Sequence, residues 1–236
     1  MAPETSAGSG SLRGPEGGAP SPPPGVELLW TGRVAEHAGD AMAHRRLLDA
    51  EESARLDAFH RPADREAFAV AHVALRRLLG ARLGRAPEAV ALAREPCGHC
   101  GGPHGRPVVP GTPVHFSLSH TSSTGSGLVL IALAPGRVGV DVEAVPREST
   151  IADVAPQLHP RERTELAALP AADRPLAFTR CWTRKESLLK AAGVGLGGGL
   201  SLTYAGTGPH PATDTGWSLS DLPVDPGYAA AVAVRP

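Results

Sequence analysis

The segment GVDVE at residues 139–143 carries the strongest structural signal in the chain. β-Branched and acidic residues alternate in it, which is typical of a β-strand with two different faces. Because side chains at i and i+2 of a strand point to the same side, Asp141 and Glu143 share one face. Val140 and Val142 share the other. An aspartate inside a strand is unfavourable, so the spacing indicates a role for these carboxylates.

A second segment, WTRKESLLK at residues 182–190, has the periodicity of a helix. Trp182, Glu186 and Lys190 stand at i, i+4 and i+8 and therefore form one stripe along it. The stripe carries an acid and a base, and together with the strand it supplies three acids and a lysine on rigid elements. This set indicates a hard metal ion that holds a phosphate-containing substrate.

The carboxylates of Asp141, Glu143 and Glu186 would repel one another strongly without a cation. At about 4 Å and an effective dielectric near 20, each like-charge pair costs on the order of 4 kcal/mol. Mg²⁺, or Mn²⁺ in its place, prefers oxygen ligands and binds through a few carboxylates and substrate phosphates. Three ordinary alternatives remain open: a solvated strand face, a surface pair between Glu186 and Lys190, and a Trp182 that only packs in the core.

Length and composition exclude several classes of protein. The chain has 236 residues, with a formal charge of −1 from 23 basic and 24 acidic side chains. This balance lacks the basic footprint of a nucleic-acid-binding or membrane-surface protein. No apolar run reaches the roughly 18 residues of a transmembrane helix, and the N-terminus has no signal pattern. Three cysteines are too few for a disulfide framework. We expect a cytoplasmic monomer that binds neither nucleic acid nor membranes.

Residues 1–25 contain Gly, Pro, Ser and Ala with almost no large apolar side chains, so we expect them to be disordered. The rest runs strand, helices, strands twice, which predicts an α+β (α/β) fold with lobes at residues 26–136 and 137–236. Helices are predicted at residues 51–59, 63–83, 160–169 and 172–192. Strands are predicted at residues 26–30, 114–118, 127–133, 138–143, 200–204, 217–219 and 228–234.

Together, the two opening segments resemble the signature of the Sfp-type 4′-phosphopantetheinyl transferases. That family carries a Gly-(Val/Ile)-Asp-(Val/Ile)-Glu strand and, further along, Trp-(Ser/Thr)-x-Lys-Glu-(Ala/Ser)-x-x-Lys, which is complete here. Two weaker elements precede them in the expected order. GRP at residues 105–107 resembles the family's Gly-Lys-Pro, and FSLSH at residues 116–120 resembles its Phe-Asn-x-Ser-His. Arg106 and Ser117 thus replace the usual Lys and Asn, which affects coenzyme-binding detail rather than the metal site.

The resemblance implies two similar lobes related by a pseudo-twofold axis, with coenzyme A and the active site in the cleft between them. It implies that Asp141, Glu143 and Glu186 bind Mg²⁺ against the pyrophosphate of coenzyme A. The enzyme would transfer the 4′-phosphopantetheine arm to a serine hydroxyl of an apo acyl or peptidyl carrier protein. Adenosine 3′,5′-bisphosphate would be released. Whether the carrier serves fatty-acid, polyketide or peptide synthesis cannot be read from the sequence.

The resemblance also assigns roles to individual side chains. Glu186 or a metal-bound water would take the serine proton, and Lys190 would face the transferred phosphate. The contacts to coenzyme A fall to Arg61, Arg65, Arg106, Ser119, His120, Lys185 and Lys190. Lys185 lies about a quarter turn from the stripe. Arg76 is a weaker candidate, because an arginine on an amphipathic helix is usually solvated.

Two other functions would use the same residues. A Mg²⁺-dependent phosphodiesterase or pyrophosphatase could act on coenzyme A or a related nucleotide. A non-catalytic module could bind coenzyme A without turnover, although such a module has no need of mutually repelling carboxylates.

A third pattern imitates a zinc knuckle through Cys97, Cys100 and His104. A structural zinc site has four ligands at ordered spacing, and no second Cys/His pair follows in register. The favoured interpretation is therefore a Gly/Pro-rich loop that leads into the GRP element.

Overall fold

The computed structural model describes residues 22–122, 127–195, 199–212 and 216–235. Disorder is predicted for residues 1–25, and positions 1–21 of that segment lie outside the described residues. From Pro22 onward the chain forms a turn, in which the Val26 N–H donates to the carbonyl of Pro23 at 3.0 Å. This turn leads directly into the first strand.

A three-stranded antiparallel sheet and a long helix form the first half of the fold. Strand β5 (Leu128–Ala134) lies between β1 (Leu28–Arg33) and β4 (His115–Thr121). Helix α3 (Pro62–Leu83) packs on this sheet. The helix begins at a proline, whose fixed φ suits the first helical position, and it ends at Gly84 with a left-handed φ of 62°.

The second half repeats this combination of a three-stranded antiparallel sheet and a long helix. Strand β8 (Tyr228–Val234) lies between β6 (Val138–Ala144) and β7 (Ser218–Leu222). Helix α6 (Arg174–Ala192) packs on β6 and β8 and ends at Gly193, whose φ of 76° suits glycine. The predicted mixed helix-and-sheet fold is confirmed, while a pseudo-twofold relation between the halves stays a prediction.

The apolar side chains of β5 divide between two clusters, which explains why the whole strand is buried. One face packs with α3 through Val129, Ile131 and Leu133. The other face belongs to a core that both sheets share, whose main strand members are Leu128, Leu130, Ala132, Ala134, Val138, Val140, Val142, Val232 and Val234. Because the valines of β6 point into this core, its acidic side chains point the opposite way, toward α6.

The face of the second sheet beneath α6 carries very small residues. Gly139 on β6 is in register with Ala233 on β8. A Cβ atom added to Gly139 would lie only 2.0 Å from the carbonyl oxygen of Ser187 and 2.5 Å from the backbone nitrogen of Ala191. The backbone of α6 therefore approaches β6 as closely as a glycine permits.

The remaining elements lie outside the two sheets. They are α1 (Val34–Ala43), α2 (Ala50–Ala58), α4 (Glu148–Val154), α5 (Pro160–Ala168), the short ribbon of β2 (Ala93–Arg94) and β3 (Pro107–Val108), and 3₁₀ turns at Arg45–Leu47, Pro87–Ala89 and Ala155–Gln157. The sequence did not predict α1 or α4. No helix in the described part of the chain has both the length and the apolar character needed to cross a membrane.

The predicted strand at residues 200–204 is wrong, because a buried ion pair uses its backbone groups. Lys185 on α6 is 1% exposed, and its Nζ lies 2.7 Å from a carboxylate oxygen of Glu162 on α5. The same Nζ donates to the carbonyl of Leu200 at 2.7 Å and to that of Thr203. This segment therefore has no sheet partner and instead closes over the ion pair.

Replacing Gly139 with Ala should destabilise the protein by about 3 kcal/mol, because the added Cβ meets backbone atoms of α6 that cannot rotate away. The midpoint of urea unfolding, followed by circular dichroism, measures this loss. Gly39→Ala on α1 is the matched control. Its Cβ would meet no atom within 4 Å, so helix propensity should raise stability by about 0.5–1 kcal/mol. Equal midpoints for the two variants would contradict the close packing of α6 on β6.

Lys185→Met should lower the free energy of unfolding by about 3–5 kcal/mol, because it leaves the carboxylate of Glu162 buried without its cation. The double variant Glu162→Gln/Lys185→Met should recover much of this loss, since it removes both charges. Calorimetric unfolding of the two variants at pH 7 provides the comparison. A single variant as stable as the wild type would show that Lys185 has no structural partner.

Candidate functional site

Asp141 lies at the centre of the candidate site. Its side chain is 2% exposed, which excludes the alternative of a solvated strand face for this residue. The Nζ of Lys190 lies 2.6 Å from Oδ1 of Asp141, and the hydroxyl of Ser119 donates to the same oxygen at 2.8 Å. Lys190 also donates to the Ser119 hydroxyl at 3.1 Å. These three side chains connect β4, β6 and α6.

Glu143 and Glu186 are two further carboxyl groups around Asp141. The pKa of Glu186 is raised to about 7, mainly by burial and then by the negative charge of Asp141, against the opposing charge of Lys190. The pKa of Glu143 is raised to about 7 by burial, by Asp141 and by Glu186, again with Lys190 opposing. Each raised pKa reports that the folded protein disfavours a second or third negative charge beside that of Asp141.

The donor atoms of this cluster are of the chemical type that a hard divalent cation prefers. Oδ2 of Asp141 and Oε1 of Glu186 are buried and have no hydrogen-bond partner. Partnerless buried carboxylate oxygens are costly, and oxygen atoms are the ligands that Mg²⁺ prefers. The ligand oxygens of Asp141, Glu143 and Glu186 do not all lie within 4.8 Å of one another. Lys190 neutralises part of the negative charge of the cluster, whereas the sequence alone suggests a metal ion for all of it.

A cavity of about 510 Å³ adjoins the cluster at Lys190. Its walls come from α2, α3, the β2–β3 ribbon with its loop, β4 and the end of α6, so that both halves of the chain contribute. The polar lining residues are Asp49, Glu51, Glu52, Arg55, His72, Arg94, His104, Arg106, Ser117, His120 and Lys190. A space of this size lies within the range of small-molecule binding sites.

Three of the predicted coenzyme A residues line this cavity: Arg106, His120 and Lys190. Arg106 is buried and donates to the carboxylate of Glu95 at 3.0 Å, while its Nη1 is buried without a partner. Burial lowers the pKa of His120 to about 4, with nearby cationic groups, first His72, adding to the effect. The imidazole of His120 is therefore neutral at pH 7 in the absence of an anion.

The structure places the other predicted contacts outside the cavity lining. Ser119 hydrogen-bonds within the acidic cluster. Arg61 is exposed at the start of α3, 3.9 Å from a carboxylate oxygen of Asp64. Arg65 donates to the carbonyl of Phe59 at 3.0 Å, and its Nε is buried without a partner.

Two sequence-based assignments need correction. Lys185 was predicted to contact coenzyme A, but its quarter-turn offset points it into the buried pair with Glu162. Arg76 was expected to be solvated, yet it is 1% exposed and binds the carboxylates of Asp49 and Glu52. Both cations therefore hold elements of the fold together.

The sequence argument missed Arg55, His72 and Arg94, which also line the cavity. The ring of His72 stacks on Phe68 with centroids 3.9 Å apart, and the guanidinium of Arg55 lies 5.6 Å from the centre of the same ring. Arg94 donates to the carbonyl of Gly105 at 3.1 Å. No spacing pattern marks these residues, because the tertiary fold alone brings them to one surface.

Trp182, the first member of the helix stripe, packs against an apolar cluster. This agrees with the alternative that its role is packing. Its ring stacks on that of Phe178 with centroids 6.1 Å apart, in a cluster with Ile151 and Leu158. Of the three stripe positions, only Glu186 and Lys190 therefore lie at the acidic cluster.

The chain is similar to proteins of one known family. The model of the 4′-phosphopantetheinyl transferase superfamily matches residues 137–219, a stretch that includes both β6 and α6. The 4′-phosphopantetheinyl transferase HetI of Nostoc sp. is 32% identical over 192 residues, which are 79% of this chain and 78% of that protein.

Two further relatives extend the comparison. A putative 4′-phosphopantetheinyl transferase of Synechocystis sp., slr0495, is 28% identical over 193 residues, or 77% of this chain and 74% of its own. The 4′-phosphopantetheinyl transferase of Bacillus subtilis is 32% identical over 125 residues, about half of each chain (51% and 53%). The family model covers the acidic strand β6 and helix α6, and HetI matches along most of both chains. This protein therefore belongs to the 4′-phosphopantetheinyl transferase superfamily and is a transferase.

Proposed function

We propose that the protein transfers the 4′-phosphopantetheine arm of coenzyme A to a serine hydroxyl of an apo acyl or peptidyl carrier protein. The reaction depends on Mg²⁺ and releases adenosine 3′,5′-bisphosphate. The observation that carries this proposal is a buried carboxylate cluster with two partnerless oxygens, joined through Lys190 to a cavity of about 510 Å³. The cavity offers room for a nucleotide-like donor, and the cluster offers oxygen ligands for a cation.

Asp141, Glu143 and Glu186 would hold Mg²⁺, with Mn²⁺ as a substitute. When bound, the ion neutralises the charge that develops on the pyrophosphate of the donor. The protein contributes the burial and the placement of these acids on β6 and α6. The two partnerless oxygens, on Asp141 and Glu186, support this assignment because a cation would satisfy both.

Glu186 and Lys190 would act on the reacting groups. The serine hydroxyl oxygen forms a bond to the phosphorus next to the pantetheine, and the bond from that phosphorus to the bridging oxygen breaks. The bridging oxygen leaves with adenosine 3′,5′-bisphosphate, and the serine proton passes to the carboxylate of Glu186. The pKa of Glu186 is about 7 in the metal-free protein, and a bound cation would lower it, so that the carboxylate is ionised and able to accept the proton at neutral pH. Lys190, at the border of cavity and cluster, would face the transferred phosphate.

Coenzyme A would bind in the cavity, with Arg106 and His120 as its anion contacts. The buried, partnerless Nη1 of Arg106 supports this role, because a phosphate oxygen would satisfy it. The neutral imidazole of His120 can donate one hydrogen bond, and an approaching phosphate would raise its pKa. Arg55 and Arg94 add two cations to the same lining. The predicted contacts of Arg61, Arg65 and Ser119 stay predictions.

The remaining expectations from the sequence are also proposals. We propose a monomeric, cytoplasmic enzyme with two lobes, residues 26–136 and 137–236, that meets its carrier at the cleft. The near-neutral formal charge of −1 supports a partner other than nucleic acid.

The purified protein should add the mass of one phosphopantetheine group to an apo carrier in the presence of coenzyme A and Mg²⁺. Intact-protein mass spectrometry over a panel of apo carriers measures this gain and ranks the carriers by rate. Glu186→Gln and Asp141→Ala should each lower the rate by about 10²–10⁴-fold, because they remove a base or a cation ligand. A chelator should stop the reaction, and added Mg²⁺ should restore it.

Glu66→Gln, an exposed change on α3, is the matched control and should react at the wild-type rate. Two outcomes would contradict the transferase proposal. Release of phosphopantetheine from coenzyme A without a carrier would indicate the phosphodiesterase or pyrophosphatase. Tight coenzyme A binding without turnover on any carrier would indicate the non-catalytic module.

The raised pKa of Glu186 predicts a pH-dependent stability in metal-free protein. Below pH 4.5 the carboxyl is protonated in both the folded and the unfolded state. As the pH rises through the window from 4.5 to 7, the unfolded state loses its proton first, so this group lowers the free energy of unfolding. Relative to the wild type, Glu186→Gln should therefore gain about 1–3 kcal/mol between pH 4.5 and pH 8.

Urea unfolding of both proteins across this pH range, with a chelator present, measures the difference. Excess Mg²⁺ at pH 8 should raise the stability of the wild type and narrow the gap, because binding to the folded state stabilises it. A gap that is constant with pH, or that Mg²⁺ leaves unchanged, would remove Glu186 from the proposed cation site.

A further inference from the structure

We propose that Cys97, Cys100 and His104 form a binding site for a zinc-class divalent metal ion in the loop that joins β2 to β3. Among the residues that the structure describes, the ligand atoms of these three all lie within 4.8 Å of one another. Sγ of Cys100 lies 3.0 Å from Nε2 of His104. All three cysteines of the chain are free of disulfides.

The donor set selects the class of metal. Two thiolates and an imidazole are ligands for Zn²⁺ and related ions, and not for Mg²⁺. Tetrahedral Zn²⁺, with bonds of about 2.3 Å to sulfur and 2.0–2.1 Å to nitrogen, keeps its donor atoms about 3.5–3.8 Å apart. The observed grouping is compatible with that spacing. Cys100 and His104 are exposed, so that water can complete the fourth position.

Backbone hydrogen bonds build the loop around Cys97. Its N–H donates to the carbonyl of Gly102 at 2.7 Å, and its carbonyl accepts from the N–H of Gly101 at 2.8 Å. The backbone N–H groups of Cys100 and His99 donate to the sulfur of Cys97. Amide donors to the sulfur are the second layer of interactions expected around a metal-binding cysteine.

Gly102 leaves the space in which the ligands meet. A Cβ atom added there would lie 3.1 Å from Nε2 of His104 and 3.4 Å from Sγ of Cys100. Gly102 lies between Cys100 and His104 in the sequence, and its lack of a side chain lets their ligand atoms approach each other. Three protein ligands with a solvent position need no second Cys/His pair in the sequence.

The loop is also connected to the cavity and to α6. His104 and Arg106 line the cavity. Gly98, between the two cysteines, donates its N–H to the carbonyl of Gly193 at the end of α6 at 3.2 Å. A metal at this position would hold one wall of the cavity against the helix that carries Glu186. Only this last consequence rests on the proposed function; the metal site stands without it.

Titration of the reduced full-length protein with Co²⁺ tests the site. We expect one equivalent to bind, with the charge-transfer absorption of a cobalt thiolate and the visible bands of a tetrahedral ion, and Zn²⁺ should displace it. Cys100→Ser and His104→Ala should each weaken binding by about 100-fold or more, since even indirect partners of a metal are worth 10–100-fold. Circular dichroism confirms that the variants remain folded.

His99→Ala is the matched control, because His99 is an exposed histidine of the same loop outside the ligand group. It should bind Co²⁺ like the wild type. Three outcomes would overturn the proposal: no thiolate absorption in the wild type, undiminished binding in both ligand variants, or loss of binding in His99→Ala. Because the measurement is an absorption spectrum, its result does not depend on transferase activity.

Discussion

The close approach of α6 to β6 is the constraint on which the candidate site depends. Gly139 and the alanines of β8 form a face without bulky side chains, so the helix backbone reaches the strand. At this distance Lys190 touches Asp141, and the carboxylate of Glu186 is buried beside it. Burying acids costs free energy that one lysine and one serine only partly offset. The excess negative charge supports the proposal that the cluster binds a cation.

Three consecutive residues of α6 serve three different purposes because successive side chains of a helix point about 100° apart. Arg184 binds the carboxylate of Asp221 and backbone carbonyls on one side. Lys185 binds Glu162 in the buried pair beneath the 200–204 segment. Glu186 faces β6 and the acidic cluster. The first two interactions hold the helix in place on both sides, and they thereby position Glu186 at the cluster.

Local patterns were sufficient for the parts of the molecule that depend on near neighbours. The alternation in GVDVE predicts which face of β6 is apolar. The helical periodicity of apolar residues elsewhere in the chain predicts the ends of α3 and α6 to within two residues. Ion pairs between residues distant in sequence could not be predicted. Arg76 meets carboxylates 24 and 27 positions away, and Lys185 meets one on α5. Neither spacing nor composition reveals such pairs, so a buried structural cation and a substrate contact look alike in the sequence.

The acidic cluster and the Cys/His loop would select different ions because their donor atoms differ in softness. Carboxylates suit Mg²⁺, whereas thiolates with imidazole suit Zn²⁺, so each proposed site would favour its own ion. Both sites connect to one helix, the acids through Glu186 and the loop through the carbonyl of Gly193. The lining of the cavity includes both Lys190 and His104. The position of α6 therefore affects the placement of Glu186 and the shape of the cavity together, which is why its close packing on β6 constrains the whole region.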